Sequence, residues 1–227
     1  MNPAASEKTH RAFTLVELFV VVAIILIIAS MLHSPYSSGK KKIAKQVQCI
    51  SNLRQVTIGY IIWADANTNQ FPWEVSTNVG GTMELIAQGN AAAHFLPTAT
   101  NFNYPRTLVC PTDKSRRAAT NFPSIGNSNL SYFISMTASL KSPPSPSSTI
   151  LAGDRHLSLN NQAVKAGLFE TTNFTALAWT TELHNNAKNS PLGVLAFADG
   201  HCEVVKSKKL AEVVQRQSIV TNRLAIP

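Results

Sequence analysis

Residues 13–32 read FTLVELFVVVAIILIIASML, twenty residues with Glu17 as the one charged side chain. At 1.5 Å of rise per residue such a run makes a helix of about 30 Å, the thickness of a bilayer's hydrocarbon core. It predicts a transmembrane helix over residues 13–33. A secretory signal has a shorter apolar region and ends at a small-residue cleavage site on its far side, whereas this run gives way to His33, Ser34 and Pro35. A lone carboxylate at mid-bilayer costs roughly 2.5–3.5 kcal/mol, so Glu17 needs compensation. A cut between Ala12 and Phe13 would place a new terminal ammonium one helical turn before Glu17, within reach of it in the same chain or a neighbour.

Working outward, a short basic leader with Lys8 and Arg11, a small residue, then Phe-Thr-Leu-Val-Glu and a β-branched apolar helix resemble the class III signal of type IV prepilins and type II secretion pseudopilins. The resemblance implies that a prepilin peptidase removes the leader peptide, residues 1–12, on the cytoplasmic face and methylates the new terminal Phe13. It also implies that Glu17, the fifth mature residue, aligns subunits during assembly. Ala12 stands where that family nearly always has Gly. The implied location is the inner membrane, single-pass, with the carboxyl-terminal region in the periplasm. Lys40, Lys41, Lys42 and Lys45 point the other way, because the positive-inside rule would count them as cytoplasmic. The leader takes precedence here, since its peptidase works on the cytoplasmic face.

Beyond Pro35, a helix breaker, Ile43, Val47, Ile50, Leu53, Val56 and Tyr60 recur at spacings of three or four. This predicts an amphipathic spine helix over 34–66, ending near Asp65 to Asn69 ahead of Phe71-Pro72. Residues 67–227 are expected to form the exported globular α+β region. Within it, MELIAQGNAAAHFL reads as a short helix ended by Pro97. Short strands are expected at 131–135, 149–152, 178–183, 193–198 and 201–206. The last two flank Asp199-Gly200, a hairpin signal that places positive φ at both central turn positions. KSPPSPSS at 141–148 reads as a connector inside one body, and residues 207–216 as a final helix with Ser207 as N-cap. The expected fold class is α+β: a long amino-terminal helix, its first half transmembrane, packed on an antiparallel sheet in a pilin-like arrangement.

The chain has 227 residues, 44% hydrophobic, with a net charge of +8 but only 14% charged residues, enough for one body with an appendage. No basic stretch carries interleaved aromatics, so nucleic acid is not expected as a partner. Cys49, Cys110 and Cys202 fit neither a zinc site built from close ligand pairs nor a dense disulfide framework. One bridge with a spare thiol, or three reduced buried thiols, remain as readings. CISNLRQ at 49–55, WADANTNQFPW at 63–73 and Cys110-Pro111-Thr112-Asp113 resemble a subgroup of exported pseudopilin-like proteins, and that likeness implies a Cys49–Cys110 disulfide. Such a bridge would restrict the unfolded chain by roughly 4 kcal/mol.

Asp154, His156, His184, Asp199 and His201 invite an enzyme or metal reading, as imidazoles and carboxylates at strand ends. No HExxH, nucleophile elbow or glycine-rich phosphate loop accompanies them, so neither catalysis nor a metal is expected. Asp199 has a turn to serve. His184 with Asp199-Gly200 resembles a His, spacer, Asp-Gly element of the same subgroup. Major pseudopilins bind calcium in a carboxyl-terminal loop, but their ligands do not map onto this chain, and no cofactor is expected. The resemblance implies a structural subunit and not an enzyme. It would be polymerised with itself and other pseudopilins by an inner-membrane secretion platform and cytoplasmic ATPase into a type II secretion pseudopilus. The alternatives are a surface type IV pilus subunit for adhesion, motility or DNA uptake, and a membrane-anchored exported hydrolase.

Overall fold

The computed structural model describes residues 13–32, 38–141, 145–185 and 190–227. The leader with Ala12, the start of the expected spine helix at 34–37 and part of the 141–148 connector lie outside the described residues. The chain divides into two compact units, residues 1–41 and 42–227.

In the first unit, helix α1 spans Leu15–Leu32. Its start is a capping box, the Thr-x-x-Glu pattern in which each end residue satisfies the other's backbone N–H. The Thr14 backbone N–H and hydroxyl both donate to Glu17 Oε2 at 2.8 Å, and the Glu17 N–H donates to Thr14 Oγ1 at 3.3 Å. Eighteen residues make about 27 Å of helix, short of the roughly 30 Å of hydrocarbon. Among the described residues no helix is by itself long and apolar enough to cross a membrane. The apolar side chains of α1 are exposed, from Leu15 at 79% to Val21 at 45%.

Helix α2 runs Ser38–Ala66. From Cys49 onward it buries one face, with Cys49, Leu53, Val56, Thr57, Tyr60 and Ala64 all fully covered. The expected stripe therefore holds from Ile50 on and fails before it: Ile43 and Val47 are exposed, because successive three-residue steps fall short of a full turn and leave Val47 across the helix from Val56.

The fold class is α+β with an antiparallel sheet. The strands are β1 Tyr132–Ser135, β2 Ile150–Asp154, β3 Leu157–Leu159, β4 Gln162–Ala163, β5 Gly167–Thr171, β6 Leu177–Trp179, β7 His184–Asn185, β8 Pro191–Phe197, β9 Cys202–Lys206 and β10 Asn222–Ile226. Among the described residues the main sheet has the order β5-β10-β1-β2-β8, with β7 and β9 both on β8; β4-β3-β6 form a smaller sheet. The side-chain alternation of strands gives the main sheet two buried faces. Tyr132, Ile134, Val194, Ala196 and Ala225 join α2 in one core, while Phe133, Leu195, Phe197, Leu224 and Ile226 join the small sheet and a final helix in another. Both faces being covered explains why these strands lack the alternating apolar-polar text of a one-sided sheet.

Several expectations need correction. The region read as one helix at 83–96 is a 3-10 stretch Met83–Gln88, then α3 Ala91–Phe95, with a further 3-10 stretch Leu96–Asn101 continuing through Pro97. The strand expected at 178–183 is confined to its first two residues, in β6; residues 180–183 are not strand, and β7 begins only at His184. The final helix, α4 at Ser207–Gln215, has Lys206 as N-cap. The Ser207 hydroxyl instead accepts from the Trp179 N–H at 2.7 Å, tying α4 to β6. In the β8–β9 hairpin Gly200 has φ +93° while Asp199 does not take positive φ. The turn is a four-residue loop in which Gly200 alone needs the left-handed region, and its N–H donates to the Phe197 carbonyl at 2.9 Å.

Candidate metal centre

Two of the five polar residues singled out from the sequence meet, and they meet the two cysteines. Cys49 arrives on the buried face of α2, Cys110 on the loop after a 3-10 turn at Pro105–Leu108, Asp154 at the end of β2, and His184 at the start of β7. One ligand atom from each lies within 4.8 Å of all the others, and all four residues are buried. Cys110 Sγ is 3.4 Å from His184 Nε2, Cys49 Sγ is 3.6 Å from Asp154 Oδ1, and His184 Nε2 is 3.7 Å from the other carboxylate oxygen, Asp154 Oδ2.

Cys49 and Cys110 stand as free thiols, not as the expected disulfide, although the fold does bring them together. Around the four groups is a set of donors that favours negative charge. The Val194 N–H donates to Asp154 Oδ2 at 2.8 Å. The Tyr132 hydroxyl is 3.5 Å from Cys49 Sγ, and the Thr112 hydroxyl is 3.4 Å from Cys110 Sγ and 3.4 Å from His184 Nδ1. Contacts with Cys49 first, then His184 and Thr112, pull the Cys110 thiol down to about 5 against its burial. Burial pushes the Cys49 thiol well above its ordinary range and lifts Asp154 to about 7. Burial alone would lower His184, but Cys110 and the Asp154 charge outweigh it and leave its pKa raised.

A second cluster is built by the same segments. Asp113 accepts from Arg155 Nε at 2.9 Å and Nη2 at 3.2 Å, from the Ser131 hydroxyl at 2.9 Å and from the Ser115 hydroxyl at 2.8 Å. His156 Nδ1 pairs with Glu182 at 2.7 Å. Asp113 is held well below the usual carboxylate range despite its burial, by His156, the Arg155 guanidinium and Ser115. Residues 110 and 113, 154 and 155–156, and 184 and 182 thus divide between two adjacent clusters. His156 belongs to the second. Asp199 and His201 belong to neither: His201 Nδ1 lies 2.5 Å from Asp199 Oδ1 within the hairpin, and its ring stacks on Phe197 with centroids 4.2 Å apart.

The four-residue set can hold a metal ion. Asp154 and His184 are legible in the sequence as possible ligands, but the cysteines are not joined to them there, because a zinc site is read from close ligand pairs, whereas the sheet and α2 gather the set from four distant segments. Glu17 and Phe13 lie in the first unit, where Glu17 is engaged by Thr14 and Phe13 is 76% exposed. No protein-family model, no curated protein and no solved structure matches this chain.

Proposed function

We propose that the chain is a pilin-like structural subunit, anchored in the inner membrane through residues 13–33 and assembled into a type II secretion pseudopilus. The observation that carries this reading is the disposition of apolar surface on α1, whose large apolar side chains from Leu15 to Met31 are exposed. That surface needs a lipid or helical partner from outside the chain. The shortfall of α1 against the hydrocarbon core, about half a helical turn, is of a size that local bilayer thinning accommodates. Helix α2 supports the same reading. Opposite its buried face, Ile43, Val47, Ile58 and Ile62 are exposed at helical spacing, interspersed with Ser51 and Arg54, an outer ridge suited to packing between subunits. The resemblance of the amino-terminal motif supplies the partners: prepilin peptidase, other pseudopilins and a secretion platform.

The test is fractionation with mass spectrometry of the amino terminus in cells with and without prepilin peptidase. The reading expects a membrane-bound chain beginning at N-methylated Phe13 in the first case and an uncut Met1 chain in the second. An uncut chain in both would overturn the processing, and a chain absent from membranes would overturn the anchor.

A further inference from the structure

We infer that Cys49, Cys110, Asp154 and His184 form a structural zinc site that clips α2 to the main sheet. The inference is independent of the pilin reading, since it rests only on residues 42–227.

The donor set chooses the ion. Two thiolates, one imidazole and one carboxylate make an S₂NO set; thiolate sulfur argues against calcium and magnesium, which take oxygen, and a carboxylate argues against copper(I). Zinc binds sulfur at about 2.3 Å and imidazole or carboxylate at about 2.0–2.2 Å, which for a tetrahedron sets ligand-to-ligand edges of about 3.3–3.8 Å. The Cys110 Sγ to His184 Nε2 separation of 3.4 Å and the Cys49 Sγ to Asp154 Oδ1 separation of 3.6 Å lie inside that range, His184 Nε2 is 3.7 Å from the other carboxylate oxygen, Oδ2, and one ligand atom from each residue lies within 4.8 Å of the rest. A catalytic zinc keeps one position open. Here four protein ligands fill the tetrahedron and no residue of the set exceeds 3% exposure, so the site is structural.

The surroundings fit the same answer. Two thiolates and a carboxylate bring three negative charges to a neutral imidazole, and zinc leaves the site at minus one. The Tyr132 hydroxyl at Cys49, the Thr112 hydroxyl at Cys110 and the Val194 N–H at Asp154 are donors placed to absorb that remaining charge. Thr112 also meets His184 Nδ1, the nitrogen left over when Nε2 binds metal, which is how outer groups orient a ligating histidine. In place of the expected disulfide, the ion joins four segments at once and shields both thiols from oxidation.

The experiment takes the full chain purified without added metal or chelator, measures bound metals by mass spectrometry, and counts labelled thiols after denaturation. Zinc at one per chain with three thiols labelled without reductant supports the site. A chain without zinc overturns it, whether only Cys202 labels before reduction, as a Cys49–Cys110 disulfide requires, or all three label freely. Cobalt(II) reconstitution should give thiolate charge-transfer and tetrahedral ligand-field bands. Cys110→Ser should lose them and Cys202→Ser keep them; equal spectra in both overturn the ligand set. Because Cys110→Ser risks unfolding, Thr112→Val serves as the milder variant. It should weaken zinc affinity roughly 10–100-fold with the fold intact, and unchanged affinity would contradict the orienting role.

Discussion

The two adjacent polar clusters bury their charges in different ways, although residues 110–113, 154–156 and 182–184 contribute to both. Around Asp113 the cation is part of the chain: Arg155 meets the carboxylate with both Nε and Nη2, and hydroxyls take the remaining lone pairs. Around Asp154 the acidic groups are Cys49, Cys110 and the carboxylate, and His184 is the one basic group of the set. Removing a charge from water costs several kcal/mol unless a partner restores it. The first cluster has its partner in the sequence; the second has the geometry of a cage for one. Four buried ligating groups with no lysine or arginine bonded to them among the described residues fit a metal ion as the missing cation.

Withdrawing zinc is the largest way to break this comparison. At free zinc a thousandfold above Kd, binding contributes about 4 kcal/mol to folding, so a chelator should lower the unfolding free energy by that much in guanidinium titration. Asp113→Ala should cost roughly 3–5 kcal/mol by leaving the Arg155 charge uncompensated, with zinc content unchanged. Replacing both partners, Asp113→Leu with Arg155→Met, should recover much of that loss, whereas no apolar pair would restore a metal cage.

His94 provides a third solution, staying neutral. It is fully buried, its Nδ1 is 2.7 Å from the Thr82 hydroxyl, its Nε2 has no hydrogen-bond partner, and burial lowers its pKa to about 4. The folded value lies below the ordinary one near 6.5, so the unfolded chain binds the proton more readily in between. Stability from this group is fully present above about pH 6.5 and falls by about 3 kcal/mol as pH drops toward 4. His94→Gln should flatten that stretch of the stability-pH curve measured by thermal melts. Smallest, Gly200→Ala forces a Cβ into φ +93° and should cost roughly 1 kcal/mol, leaving zinc content untouched and so separating hairpin strain from loss of either cluster.

Much of the secondary structure was legible because it rests on local text. The run 13–32 reads as a helix and is one from Leu15, and Asp199-Gly200 marks a hairpin that forms between β8 and β9. Glu17 reads as a charge to be met by the ammonium of a cut at Phe13, one turn away in the same chain or a neighbour, yet the Thr-x-x-Glu pattern already gives it a partner in Thr14. Strands β5 and β10 were missed because Gly167–Thr171 and Asn222–Ile226 are short and lack turn signals of the Asp-Gly kind. The metal cage was illegible for a different reason. Its ligands sit 61, 44 and 30 residues apart in sequence, and no periodicity connects a helix face, a loop and two strand ends. Only the β1-β2-β8-β7 order, with α2 laid across it, brings them within reach of one ion.

X-ray absorption at the zinc edge on the purified, unsupplemented chain reads the four-residue site directly. A zinc held by Cys49, Cys110, Asp154 and His184 gives about one zinc per chain with a first shell of two sulfurs near 2.3 Å and two nitrogen or oxygen atoms near 2.0–2.2 Å. A chain without zinc, or a shell without sulfur, would contradict it.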